Sequence, residues 1–361
     1  MKDIRNAPGV IKSADAVRIV CKTLGLVDGR LMHHGERVAY MLYHMLRDSD
    51  KYTEEEKLCI FCLGIFHDIG AYKTDEIDQM VEFESDNVWE HSIYGYLFLK
   101  YLSPLKNYAE AILYHHLNYE CYDTFKTEYK EIALLIKLTD RIDICMQTEK
   151  NGVDLEILQS EAGSRFDPEH VALFLETNER CHLIEHLEDG SYATEIETIL
   201  DTIDLMPEEI NLYLRMLSYS IDFRSGYTVT HTITTTAISV EIVKLLGYPF
   251  DETVRIYYGA LLHDVGKIAI PLEILEYPGK LSPQAMAVMK THVKVSEDIL
   301  RGVVSDAICE IAIAHHEKLD GSGYHKGLSA KDLNESQQIV AIADVLSALR
   351  QRRSYKNAFS K

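Results

Sequence analysis

The stretch LLHDVGKIAIPLEIL, residues 261–275, places a histidine and an aspartate side by side at the end of an apolar run. A valine, a glycine and a lysine follow His263 and Asp264 directly. Burial of an imidazole and a carboxylate is costly unless each group finds a partner. Taken alone, the pair also fits a helix end with a charged cap, so its meaning depends on the rest of the chain.

A second copy of the same pattern lies in the first half of the chain. CLGIFHDIGAYK (62–73) and GALLHDVGKIAI (259–270) share the order apolar, apolar, His, Asp, apolar, Gly. AEAILYHHLNYE (109–120) and CEIAIAHHEKLD (309–320) both end an apolar helical pattern with a double histidine. Because both motifs recur in the same order, the sequence indicates an internal duplication.

The spacing of the histidines is similar in the two copies. The first histidine precedes the His-Asp pair by 33 residues in one copy and by 32 in the other. Each copy supplies five histidines and two aspartates in one order. The two sets are His34, His67, Asp68, His91, His115, His116 and Asp140, and His231, His263, Asp264, His292, His315, His316 and Asp344.

Several of these side chains fall on helix faces that the apolar pattern directs inward. Ile308, Ile311 and His315 follow one helical stripe, and Ile339 precedes Asp344 on another. A single histidine on an apolar face is usually a hydrogen-bonded core residue. Seven such residues that recur in order across two copies are poorly explained in that way. Converging imidazoles and carboxylates instead indicate metal centres.

The composition is typical of an all-α protein with two domains. The chain has 361 residues with only 8 prolines and 19 glycines, and apolar residues recur at three- and four-residue steps. A formal net charge of −20 without a basic block argues against polynucleotide binding, but not against a small phosphorylated ligand. Seven scattered cysteines, no signal-peptide pattern and no membrane-spanning apolar run predict a reduced, cytoplasmic protein.

We expect two helical domains in tandem, over residues 1–205 and 206–361. The stretch 195–222 is helix-forming and has no Pro/Gly/Ser-rich linker, so a helix is expected to join the domains. The first copy continues past Asp140 to GSRFDPEHVALFL, residues 163–175. The corresponding segment of the second copy would fall beyond Lys361, so we expect that domain to lack its closing helix.

With these residues in hand, both halves resemble HD-superfamily metal-dependent phosphohydrolase domains. The likeness is looser over residues 15–180. Over residues 210–361 the chain is similar to the HD-GYP family of cyclic di-GMP phosphodiesterases. The motifs that carry this likeness are YTVTH (227–231), HDVGKIAIP (263–271), HHEKLDGSGYHKGL (315–328) and ADVLSALRQRRSYK (343–356).

The resemblance implies hydrolysis of the bacterial second messenger cyclic di-GMP to pGpG, GMP or both. It implies a bridging hydroxide activated by two divalent metal ions, which the seven residues of the second copy would bind. Their mixed His/Asp character favours iron or manganese. It assigns catalytic roles to Asp264, as the bridge between the ions, and to Lys267. Substrate contacts are implied for Lys267, Gly323, Tyr324, Arg353 and Lys356.

The chain departs from the family pattern at several positions. His325 stands where the signature has a proline, so the loop loses a fixed backbone angle. Tyr227 stands where some relatives carry a glutamate ligand, so we expect two ions and not three. In the first copy Ala71 stands at the place of Lys267, and no GYP-like loop follows the double histidine. We therefore expect the first domain to keep its metal ions and to have lost cyclic dinucleotide recognition.

Two alternatives stay open at this point. One is a metal-bound cyclic dinucleotide sensor or scaffold with little turnover, which His325 and the short C-terminus favour. The other is a phosphodiesterase for another, hybrid cyclic dinucleotide. The intact ligand set and Lys267 favour an enzyme whose partner is a cyclic dinucleotide, without a membrane segment or a polynucleotide. Homodimer formation, and whether the first domain is catalytic or regulatory, stay open.

Overall fold

The computed structural model describes residues 7, 9–27, 32–71, 89–124, 126–148, 153–225 and 230–350. Within these ranges all regular elements are helices and no β-strand occurs. The prediction of an all-α protein is confirmed. None of the helices in these ranges combines the length and the apolar character needed to cross a membrane.

The chain divides into two compact units. The first lies within residues 28–203, and the second comprises the residues from 204 onward together with the N-terminal stretch up to Val27. Helix α1 (Ser13–Leu24) therefore belongs to the second unit, whereas the predicted range of 1–205 groups it with the first. The physical reason is packing, because α1 buries Val17 and Val20 completely and contacts α11 (Pro207–Phe223).

The first unit is built around α2 (His34–Leu46), which packs against α3 (Glu54–Phe66) and α6 (Lys130–Thr148). Helix α3 begins with a capping box in which the Thr53 side chain accepts the Glu56 N–H and the Glu56 side chain accepts the Thr53 N–H. A 3₁₀ turn covers Tyr119–Asp123. The helices are α2 (His34–Leu46), α3 (Glu54–Phe66), α4 (Trp89–Leu102), α5 (Ala109–Tyr114), α6 (Lys130–Thr148), α7 (Leu155–Ser160), α8 (Pro168–Cys181), α9 (Leu183–Asp189) and α10 (Tyr192–Leu200).

The second unit repeats this arrangement around α12 (His231–Leu245), which packs against α13 (Phe250–Leu262) and α17 (Glu335–Arg350). Its core includes Val243, Ile256, Ala260, Ile311 and Val340, all nearly inaccessible to solvent. A 3₁₀ turn at Val265–Ala269 follows the His-Asp pair. Besides α11, the helices are α12 (His231–Leu245), α13 (Phe250–Leu262), α14 (Leu272–Leu275), α15 (Pro283–Leu300), α16 (Asp306–Ile313) and α17 (Glu335–Arg350).

The stretch predicted to join the domains forms two helices and not one. Helix α10 ends at Leu200, and α11 begins at Pro207 with Met206 in an extended conformation. A proline disfavours helical geometry in the residue before it and is well tolerated at the first position of a helix. The residues 201–206 between the two helices are therefore not helical.

Candidate metal centres

The His-Asp pair of the second unit lies where α13 ends. His263 follows the last residue of this helix, is fully buried, and its Nδ1 lies 2.7 Å from the carbonyl oxygen of Ala260. A helix end leaves such carbonyl groups without intrahelical partners, so the Nδ1–H can donate to one of them. The opposite nitrogen, Nε2, then faces the centre of the unit as a lone-pair donor.

A contact with the carbonyl three residues earlier also orients two more histidines of this unit. Nδ1 of His292 lies 2.7 Å from the carbonyl oxygen of Met289, and Nδ1 of His315 lies 2.7 Å from that of Ala312. Each histidine thus uses the carbonyl three residues before it. As a result, Nε2 of each ring is directed to a common point, where His292 Nε2 and His315 Nε2 lie 3.3 Å apart.

Asp264 lies between two groups of histidines. Its Oδ2 is 3.1 Å from Nε2 of His263 and 3.6 Å from Nε2 of His231. Its Oδ1 is 3.5 Å from Nε2 of His292 and 3.6 Å from Nε2 of His315. Because each carboxylate oxygen faces a different group, Asp264 is placed to bridge two cations.

Asp344 and His316 complete the set of seven. Oδ1 of Asp344 lies 2.9 Å from Nε2 of His231, and its Oδ2 lies 4.0 Å from Nδ1 of His316. The ligand atoms form two groups, and within each group they all lie within 4.8 Å of one another. The groups are His231, His263 and Asp264, and His292, His315 and His316. The structure therefore brings all seven sequence-predicted side chains of the second copy together.

Buried polar atoms without hydrogen bonds show that a cation fits this centre. Nε2 of His263 and Oδ1 of Asp264 are both buried and make no hydrogen bond. Leaving such atoms unsatisfied costs about 1–3 kcal/mol each. Nitrogen and oxygen donors without a thiolate are suited to divalent iron or manganese.

The protonation states favour metal binding. Burial lowers the pKa of His292 to about 4 and that of His316 to about 3, and it lowers the pKa of His315 well below its usual value. These imidazoles are neutral at pH 7. Burial alone would raise the pKa of Asp264, but the charges of His263 and Lys267 hold it well below its usual range. The centre therefore offers three imidazole lone pairs together with ionised carboxylates. Burial alone would lower the pKa of His263, but Asp264 raises it, so a metal ion that binds His263 competes with a proton.

A cavity of about 460 Å³ opens beside these ligands. Lys267 lines it one turn after Asp264, and its ammonium group contacts Oδ2 of that carboxylate. Burial would lower the pKa of Lys267, but Asp264 raises it, so the side chain is cationic. Four of the seven ligand-type residues also line the cavity, namely His231, His292, His316 and Asp344.

The first unit assembles its own seven residues in the same way. Nε2 of His34 lies 3.1 Å from Nε2 of His67 and 3.3 Å from Oδ1 of Asp140. Oδ1 of Asp68 and Nε2 of His115 are buried without a hydrogen bond, and Oδ1 of Asp264, the counterpart of Asp68, is in the same state in the second unit. The ligand-type groups are His34, His67 and Asp140, and Asp68, His91, His115 and His116. Two groups of ligand-type side chains thus recur here.

Comparisons with known proteins agree with this internal repeat. One family model described as an HD domain matches residues 31–145, and another matches residues 211–361. The 3′3′-cGAMP-specific phosphodiesterase 1 of Vibrio cholerae is 32% identical over 354 residues, which cover 91% of this chain and 80% of that protein. This chain belongs to the HD-GYP family. The prediction of an HD domain followed by an HD-GYP domain is confirmed.

Two further relatives bear on the HD-GYP domain and on the fold. A cyclic di-GMP phosphodiesterase of Thermotoga maritima is 38% identical over 147 residues, 40% of each chain. The crystal structure of V-cGAP3, a cyclic GMP-AMP-specific phosphodiesterase of V. cholerae, matches with a TM-score of 0.61 at 16% identity. That match covers 94% of this chain and 89% of the other, and it shows a shared fold.

The loop that follows the double histidine of the HD-GYP domain is organised by one carboxylate. Glu317 is only 6% exposed. Its carboxylate accepts the backbone N–H groups of His325, Lys326, Gly327 and Leu328, at distances of 2.7–3.2 Å. Proline has no N–H, so the histidine at position 325 makes a hydrogen bond that the signature residue cannot make.

The imidazole of His325 fixes the same loop from the other side. Nε2 of His325 lies 2.7 Å from Oε2 of Glu297, whose carboxylate also contacts Arg301 and Lys326. Burial would raise the pKa of Glu297, but its hydrogen bonds to His325 and Arg301 lower that pKa to about 2. The backbone restriction that is lost with proline is therefore replaced by hydrogen bonds and ion pairs.

Gly323 and Tyr324 occupy different environments within the loop. A Cβ atom at Gly323 would lie 2.5 Å from Cα of Glu317, so no larger residue fits there. Tyr324 lines the cavity, and its ring centroid lies 4.7 Å from that of His316. The predicted substrate contact at Tyr324 faces the cavity, whereas Gly323 serves the packing of the loop.

We expect Glu317→Gln to loosen this loop and to lower turnover about 10- to 100-fold. The amide has one acceptor oxygen in place of two, so at least one backbone N–H loses its partner, and the support of Tyr324 and His316 weakens. Limited proteolysis between residues 318 and 330 and the kcat of the intact protein measure the effect. Glu241→Gln is the control, because Glu241 is 68% exposed and pairs with nearby Lys244. Equal behaviour of both variants would contradict the role assigned to Glu317.

Several residues around the first centre were missed by the sequence reasoning. Oδ2 of Asp143 lies 2.7 Å from Nδ1 of His34, and Arg37 donates to both oxygens of Asp143. Arg141 donates to Oδ2 of Asp140 at 2.8 and 3.0 Å. The signal was present in LTDRID (138–143), where a second aspartate follows Asp140 by three residues on one helix face.

These contacts raise the pKa of a ligand-type histidine in the first centre. Burial alone would lower the pKa of His34, but hydrogen bonds to Asp140 and Asp143 raise it to about 10. A metal ion that binds His34 must therefore displace a proton. In the HD-GYP domain an uncharged hydroxyl takes the place of the Asp143 carboxylate. Oγ of Ser347 lies 3.2 Å from Nδ1 of His231.

Tyr227 and the predicted substrate contacts Arg353 and Lys356 lie outside the described residues. Ala71 is 2% exposed at the place that Lys267 takes in the HD-GYP domain. In the first centre Arg141, on α6, places its guanidinium group against the carboxylate of Asp140.

Proposed function

We propose that the HD-GYP domain hydrolyses a phosphodiester bond of a cyclic dinucleotide in a metal-dependent reaction. The observation that carries this proposal is the convergence of seven ligand-type side chains with buried unsatisfied atoms, four of which line a cavity of about 460 Å³. The cavity is in the size range of ligand sites in proteins. The activities named for the relatives supply the substrate class.

Each group in the cavity has a chemical role in this proposal. Divalent ions held by the seven residues would neutralise phosphate oxygens and lower the pKa of a water molecule. Asp264, ionised and facing both histidine groups, would hold the two ions at a fixed separation. Lys267 places a positive charge beside them, where a phosphodiester carries its negative charge. The neutral state of His292 and His316 keeps their lone pairs available for ligation.

For the substrate we propose cyclic di-GMP, hydrolysed to pGpG, GMP or both. A second candidate, the hybrid 3′3′-cGAMP, is favoured by one observation, because the relative that is similar over 91% of this chain is specific for that compound. Both carry the same phosphodiester ring, so the metal centre does not distinguish them. The difference must come from contacts to the bases.

For the first domain we propose bound metal ions without cyclic dinucleotide turnover. Its seven ligands are assembled, and Asp143 supports His34 in the way that a carboxylate commonly supports a metal-ligating histidine. Ala71 leaves the cationic contribution of Lys267 without a counterpart in the same place.

The test is turnover by the whole chain after anaerobic loading with iron or with manganese. We expect about four metal ions per chain, two for each centre, and conversion of cyclic di-GMP or 3′3′-cGAMP to a linear product by chromatography. Cyclic di-AMP serves as a comparison substrate. Binding without conversion of any of the three would establish the sensor alternative and overturn the proposed hydrolysis.

A further inference from the structure

One wall of the cavity beside the second metal centre is not used by the metal chemistry. It is formed by the loop between α14 and α15, which contributes Tyr277, Gly279 and Lys280. The metal ligands His316 and Asp344 line the same cavity. A ligand whose phosphate lies at the metal centre therefore has this loop within the same enclosure.

Tyr277 presents an aromatic surface on this wall. It is 50% exposed, and Met286, which is 39% exposed, lines the cavity with it. Burial of this aromatic and thioether surface under a ligand would be favourable, because apolar area is then removed from water. Tyrosine also has a ring face on which a planar group can stack.

Tyr324, the other tyrosine of this cavity, is less exposed than Tyr277. Its ring centroid lies 4.7 Å from that of His316 with an angle of 33° between the planes. Nζ of Lys290 lies 4.8 Å from the same ring centroid. These contacts hold Tyr324 against a metal ligand, so Tyr277 is the tyrosine of the cavity with the larger accessible surface.

The ring of Tyr277 lies close to the backbone at Gly279. A Cβ atom at Gly279 would lie 3.2 Å from Cε1 of Tyr277 and 3.8 Å from its Cδ1. The absence of a side chain at position 279 therefore leaves room for the ring at this place in the loop.

We propose that Tyr277 is a stacking platform for one nucleobase of the cyclic dinucleotide. The proposal rests on the proposed function, since a cyclic dinucleotide carries two bases on a ring of two phosphodiester bonds. With one phosphate beside Lys267, a base can extend to the opposite loop, and Lys280 adds a cation there. Stacking on an aromatic side chain tolerates any base, so Tyr277 supplies affinity and does not select guanine over adenine.

The experiment compares Tyr277→Ala, Tyr277→Phe and the parent protein in the metal-loaded full chain. For each we would measure kcat and KM with cyclic di-GMP and with 3′3′-cGAMP. The equilibrium Kd for a hydrolysis-resistant phosphorothioate analogue of each is measured by calorimetry. Tyr101→Ala is the matched control, because Tyr101 is 72% exposed in the first unit.

We expect Tyr277→Ala to raise KM and Kd about 5- to 150-fold, by a similar factor for both dinucleotides, with kcat changed less than about threefold. Tyr277→Phe keeps the ring and is expected to stay within about threefold of the parent. An unchanged Kd in Tyr277→Ala, or a loss confined to kcat, would overturn the assignment. A parent that binds without turnover refutes the hydrolysis alone, because the Kd ratio still tests Tyr277. A parent that binds neither analogue refutes both.

Discussion

Replacement of His263 and Asp264 together by alanine is expected to lower cyclic dinucleotide turnover at least about a thousandfold. The change removes one nitrogen ligand and the carboxylate whose two oxygens face both histidine groups. Metal ions contribute several kcal/mol to the stabilisation of a phosphoryl transition state, and about 4 kcal/mol corresponds to a factor of a thousand. Metal analysis and steady-state kinetics on the same preparation measure the two effects.

The matched control is the double change His67→Ala and Asp68→Ala in the first unit. These residues occupy equivalent places in the repeat, so the two variants carry the same chemical alteration in different centres. We expect the control to lose the metal ions of the first centre and to keep turnover within about threefold of the parent. An equal loss from both double variants would contradict the assignment of the chemistry to the HD-GYP domain.

Asp264→Asn separates ligation from packing in the second centre. The side chain keeps its shape, while the negative charge and one acceptor oxygen are lost. A variant that unfolds as the parent does but binds less metal would place the defect in ligation. Circular dichroism and thermal unfolding with and without added manganese provide this comparison.

The ligand set could be predicted from the sequence because its determinants are local. The rings of His263, His292 and His315 each contact the carbonyl three residues earlier, so the sequence position nearly determines the direction of the ring. The apolar pattern around each histidine then indicates which face is buried. Repetition of the order in both halves removed the ambiguity that a single pair would have left.

Other features could not be predicted because they depend on distant partners. Helix α1 has an amphipathic pattern that fits either unit, and only packing against α11 assigns it to the second. Glu317 is one of many glutamates in the sequence, and its role depends on a loop that folds back so that four N–H groups meet its carboxylate. The break before Pro207, by contrast, could have been predicted from the proline, although we expected the stretch 195–222 to be helical.

Gly266→Ala is expected to disrupt the second centre without a change to any ligand. A Cβ atom at this position would lie 2.0 Å from the carbonyl oxygen of His292 and 2.5 Å from the backbone nitrogen of Ser296. The Gly266 N–H also donates to Oγ of Ser296. Helix α15 must therefore move away from the His-Asp turn, and His292 moves with it. We expect a loss of about 3 kcal/mol in the free energy of unfolding and at least about a hundredfold in turnover.

Gly247→Ala is the control for this change. Gly247 has a φ of +75° and nothing within 4 Å of an added Cβ, so alanine costs only the backbone strain of about 1–2 kcal/mol. We expect this variant to keep its metal content and its KM. Urea unfolding, metal analysis and turnover, measured on both variants, separate loss of stability from displacement of a ligand. If Gly266→Ala retained its metal ions and was no less stable than Gly247→Ala, the close contact of the turn with α15 would not be what holds His292 at the centre.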